Sequence, residues 1–127
     1  MDIEVNSPIN ITLDMMEVDE HLPSIKFDIM IRVKKFSYSL EANSQVWVEC
    51  QVFDMFIDSI RKDNIATLSD MNGLFELKLD PVQGCLKWSC SKEDLDSYIT
   101  LAKGEEKLTD ELKWLLYKAF NDYPRWW

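Results

Sequence analysis

His21 is the single histidine of the sequence, and it stands beside Asp19, Glu20 and Pro23. An imidazole near a carboxylate can serve as a general acid or base. Here the surrounding composition is that of a solvated loop. Ser/His/Asp hydrolysis would depend on this one imidazole, and no G-x-S-x-G elbow accompanies it. Cys50, Cys85 and Cys90 could act as thiolate nucleophiles beside a histidine. Each sits instead in a strand-like or helix-edge pattern, which points to packing. Asp14, Glu17, Asp19 and Glu20 could offer oxygens to calcium, but they lack the D-x-[DN]-x-[DN]-G order of an EF-hand. Cys and His do not recur at zinc-ligand spacing, and no Gly-rich loop could cradle a phosphate. These residues predict no catalytic site, no metal site, no cofactor and no enzymatic activity.

Binding chemistry is better represented. Fourteen Lys and Arg stand against 23 Asp and Glu, a formal net charge of −9. Asp2, Glu4, Asp14, Glu17, Asp19 and Glu20 all precede the first basic residue, Lys26. Nucleic-acid backbones and anionic membranes both require positive surface. The charge therefore argues against both and suits a basic protein partner, because complementary charge speeds encounter and fixes register. Tyr123, Trp126 and Trp127 cluster near the C-terminal end. Trp, Tyr and Arg are enriched at interface hot spots, so these rings dock either on the chain itself or on a partner. The expected partner-binding residues are Asp14, Glu17, Asp19, Glu20, Asp54, Asp58 and Trp126. Asp54 and Asp58 lie one turn apart on a helix and are expected to project together.

The elements that must carry these groups fit one domain, residues 1–127. No apolar run approaches the ~18 residues that cross a membrane, and the acidic start Met1-Asp2-Ile3-Glu4 does not resemble a signal peptide. An odd count of three cysteines without Cys-x-x-Cys predicts free thiols and a reducing cytoplasm.

Ile9–Met16 reads as a first strand. From Ser24 to Leu40 the period is two: Ile25, Phe27, Ile29, Ile31 and Val33 alternate with Lys26, Asp28, Met30, Arg32 and Lys34. Phe36, Tyr38 and Leu40 fall on the other parity, which predicts a bulge or bend near Lys34-Lys35. Glu41–Ser44 reads as a turn and Val46–Cys50 as a short strand. Val52, Phe56 and Ile60, with Phe53 and Ile57, give an amphipathic helix that ends at Asp63-Asn64. Three strands follow: Ile65–Leu68, Leu74–Leu79 and Cys85–Cys90. Asn72-Gly73 suggests a type I′ turn between the first two. Ser91–Asp96 reads as a polar loop, and Tyr98–Leu101 as a further strand. A second helix spans Lys107–Asp122, with Thr109 able to cap it. The expected fold is α+β: an antiparallel sheet of about six strands with two helices packed on one face.

The order strand, helix, hairpin, strand, helix resembles the WapI-type bacterial immunity proteins over about residues 46–120. The matching stretches are Val52–Ile57, Ala66-Thr67-Leu68, Leu74–Leu79, Gly84–Trp88 and Leu108–Phe120. Relatives often carry Asp-Gln before the final helix, where this chain has Lys107-Leu108-Thr109-Asp110. No functional residue carries over by position. The resemblance implies a protein that binds and neutralises a toxin domain, often a nuclease. The acidic charge independently suits a basic target of that kind, and blocking by occlusion needs no catalytic residue. The alternative is a bacterial self-associating or adaptor domain without catalytic activity.

Overall fold

A computed structural model describes residues 2–127. The strands are β1 (Ile3–Val5), β2 (Asn10–Asp19), β3 (Ser24–Lys35), β4 (Tyr38–Glu49), β5 (Ala66–Ser69), β6 (Phe75–Asp80), β7 (Cys85–Glu93) and β8 (Ile99–Lys107). Helix α1 (Cys50–Arg61) follows β4, and α2 (Asp110–Asn121) follows β8. The fold is α+β, but the expected single sheet of about six strands is two antiparallel sheets of four, β1-β2-β3-β4 and β5-β6-β7-β8. Alternation shows which face of a strand is buried. It does not show which strands pair, and α1 separates the two meanders.

The period-two run of β3 behaves as the sequence predicts. Ile25, Phe27, Ile29, Ile31 and Val33 are all buried on one face. The bulge or bend expected near Lys34-Lys35 is a full reversal of the chain just beyond them. Lys35 pairs with Tyr38, and Ser37 adopts a positive φ of 60° at the tip. The parity change in the sequence is therefore the start of a new strand. Glu41–Ser44, expected as a turn, lies within β4 and pairs with Ile29–Arg32 of β3.

The Asn72-Gly73 loop also departs from expectation. Gly73 alone takes a positive φ, of 71°. The buried Asp70 carboxylate organises the loop by accepting from the N–H groups of Asn72, Leu74 and Phe75 at 3.1, 2.7 and 2.8 Å. A side chain here replaces the backbone geometry of a two-residue turn. The expected loop from Ser91 begins as strand, since Ser91–Glu93 continue β7 and pair with Ile99–Leu101 of β8.

One hydrophobic cluster runs through both sheets and both helices. Helix α1 packs on β5 and β4, and α2 packs on α1 and β1, so the helices bridge the sheets and do not cover a single face. At the α1–α2 seam Phe56 meets Phe120 edge-on, with ring centroids 5.0 Å apart. Such pairs contribute about 0.5–1.5 kcal/mol beyond their buried area. Thr109 caps α2 by accepting from the N–H of Leu112 at 3.1 Å, an interaction of about 1 kcal/mol. Helix α1 has no side-chain cap; the Cys50 N–H donates instead to the Pro23 carbonyl at 2.9 Å. Between the sheets, the Met71 N–H donates to the Trp47 carbonyl at 2.9 Å, and Lys35 Nζ meets Glu106 Oε1 at 2.6 Å.

Candidate partner-binding surface

Strand β2 brings together Asp14, Glu17 and Asp19, with Glu20 just beyond its end. Strand β1 pairs with β2 only over Ile11–Leu13, whereas β3 pairs with it as far as Asp19. The far half of β2 is therefore a sheet edge. A register shift between Met15 and Glu17 turns the strand there. Met15, Met16, Val18 and Leu22 stay 43–51% exposed, an apolar patch beside the carboxylates.

The four acids do not stand alike. Asp14 lies directly opposite Asp28 in the ladder. Its carboxyl pKa is raised by a hydrogen bond with the Asp2 carboxyl, then by burial and by the charges of Asp2 and Asp28. Two carboxylates only accept hydrogen bonds, so that bond forms when one of them holds a proton. Asp14 Oδ1 is otherwise buried without a partner among the described residues. Glu17 lies 3.7 Å from Lys26 Nζ. Asp19 closes the loop that follows, accepting from the N–H groups of His21 and Leu22 at 2.9 and 3.3 Å. His21 is exposed in that loop.

Asp54 and Asp58 are both engaged within the chain. Asp54 accepts from Arg125 Nη1 at 2.9 Å and from the Trp127 indole Nε1 at 2.8 Å. Asp58 is held below its ordinary pKa by hydrogen bonds from Lys62 and Arg61. The C-terminal rings divide accordingly. Tyr123 is buried against Phe27 and Phe53, and its phenol pKa is raised, chiefly by burial. Trp127 packs edge-on against Phe53 at 5.5 Å. Trp126 touches Trp127 at 5.5 Å and remains 41% exposed.

All three cysteines are free and buried. Burial pushes the Cys50 and Cys90 thiols up to about 11 and also raises that of Cys85. These are the opposite of activated nucleophiles. Among the described residues, no group of three or more His, Cys, Asp or Glu is placed to hold a metal ion, and no helix is long and apolar enough to cross a membrane.

Two surfaces escaped the sequence reading. Trp114 stands exposed on α2 with Lys118 Nζ 5.3 Å from its ring centroid. It lies off the buried face formed by Leu112, Leu116 and Phe120, a helical spacing that could have marked it as exposed. Beyond β6, the β7–β8 hairpin projects as a two-stranded arm carrying exposed Leu95, Tyr98, Ile99 and Leu101. A concavity of about 460 Å³ on the outer side of the second sheet mixes Glu76 and Glu105 with Lys87 and Lys103, without His or Cys.

No protein-family model, no curated protein and no solved structure matches this chain.

Proposed function

We propose that this protein is an immunity-type inhibitor that binds a basic toxin domain, of the kind nucleases present, and occludes its active or substrate-binding surface. The observation that carries the reading is the exposed half of β2. There Glu17, Asp19 and Glu20, with the partly buried Asp14 behind them, surround an apolar patch, and among the described residues Lys26 is the one cation paired with them. Carboxylates around a small apolar centre suit a cationic surface: the rim steers encounter and the centre resists separation. The sequence resemblance to WapI-type immunity proteins supports the same reading, and free buried thiols suit action in a reducing cytoplasm.

Binding kinetics against a cognate basic toxin domain, over a range of salt concentrations, test the proposal. Glu17→Lys together with Glu20→Lys should slow association several-fold and flatten its salt dependence, because rim charges act mainly on the association rate. Trp126→Ala should speed dissociation, with circular dichroism as the folding control. Salt-independent binding, with the association rate unchanged by the charge reversals, refutes the electrostatic reading.

The β7–β8 arm favours a second reading, a self-associating domain, since four large apolar side chains stand uncovered on it. Sedimentation at rising concentration separates the two: a stable monomer removes the second reading.

A further inference from the structure

We infer that the partner contributes a basic, extended segment that adds as a new strand to the open edge of β2 between Met16 and Asp19. This rests on the binding function proposed above and specifies how docking occurs. Pairing with β1 stops at Leu13, while β2 continues to Asp19 with β3 on one side only. The backbone hydrogen bonds outside the ladders include none from Met16 to Asp19 among the described residues. A row of unpaired N–H and C=O groups is a template for strand addition.

The side chains define what would fit. Val18 lies opposite Ile25, on the buried side of the sheet, and Glu17 lies opposite Lys26, on its outer side. An added strand therefore meets apolar surface on one face and carboxylates on the other. The complementary segment alternates apolar residues with Lys or Arg. Behind that face the buried aromatic core runs to the C-terminal tail. Phe27, the cross-strand neighbour of Met15, lies 6.2 Å from Phe53, which touches Trp127, which touches the exposed Trp126. A second copy of this chain is a poor occupant. Antiparallel self-pairing sets this acidic segment against itself, and like charges directly opposite are destabilising. The bulge also breaks a self-complementary register.

The test is amide hydrogen exchange on the whole protein, with and without a capped peptide of alternating Lys and Val. Strand addition should slow exchange at least tenfold for the Met16–Asp19 amides that do not face β3, and leave the β4 and β8 edges unchanged. N-methylation of alternate peptide residues should abolish that protection. Three results overturn the inference: no binding, protection at another edge, or equal binding by the N-methylated peptide. If the N-methylated peptide binds equally and Glu17→Lys with Glu20→Lys abolishes that binding, strand addition fails while the acidic-surface reading stands. If a cognate basic domain binds independently of salt and of those charges, that reading itself fails.

Discussion

The indole N–H of Trp127 donates to the Asp54 carboxylate at 2.8 Å, and Arg125 Nη1 reaches the other oxygen of the same group at 2.9 Å. One side chain of α1 thus holds two residues of the C-terminal segment. The indole also closes over Phe53. Trp127→Ala should lower stability by about 1–3 kcal/mol, less than for a fully buried Trp, because the ring is only partly covered. Asp54→Ala should lose part of the same energy. A double-mutant cycle in urea should return a coupling of about 1 kcal/mol. Strict additivity would mean that the contact contributes nothing.

Phe27 and Ile29 are completely buried on the inner face of β3, while Met30 points the other way. Truncating Phe27 to Ala should cost about 3–5 kcal/mol, and Ile29 to Val about 0.5–1.5 kcal/mol. Met30→Ala should change stability by about 0.5 kcal/mol or less. Equal losses at positions 29 and 30 would contradict the face assignment.

Gly104 lies opposite Trp88, and a Cβ built on it would meet the indole Nε1 at 2.5 Å. The substitution Gly104→Ala must displace a buried ring whose N–H has no partner among the described residues. A loss of about 1–3 kcal/mol is expected, with a changed near-ultraviolet circular dichroism signal. An unchanged spectrum and melting temperature would show that the indole has room to move.

The thiols give a pH prediction. Their ordinary pKa is 9.0, and burial moves Cys50 and Cys90 up to about 11. Between those values the unfolded chain releases protons that the native chain keeps. Stability is therefore full below 9 and falls as pH rises towards 11. Replacing both residues by Ala should flatten that decline in urea titrations. Thiol reagents should find three reactive groups after unfolding and far less reactivity before it, in keeping with three free buried cysteines.

Much of the local structure was legible in the sequence. The alternation in β3, the aromatic stripe of α1 and the Thr109 cap all act over a few residues, and each leaves a pattern there. The Phe36-Ser37 reversal was not legible, because it contains no Gly, Pro or Asn to mark it. Nor was the division into two sheets, which depends on pairing between strands. The acids of β2 were visible as charges. Their place on an edge was not, since that follows from where β1 stops. Asp54 read as a free surface charge because its partners, Arg125 and Trp127, lie at the far end of the sequence.

That separation bears on synthesis. Ribosomes deliver the chain from its N-terminus, so β2, β3, β4 and α1 emerge well before Phe120, Tyr123 and Trp127. Until those rings arrive, Phe53 and Phe56 lack the aromatic neighbours that α2 and its following segment supply. The nascent first half therefore carries a greasy, incompletely roofed surface during translation.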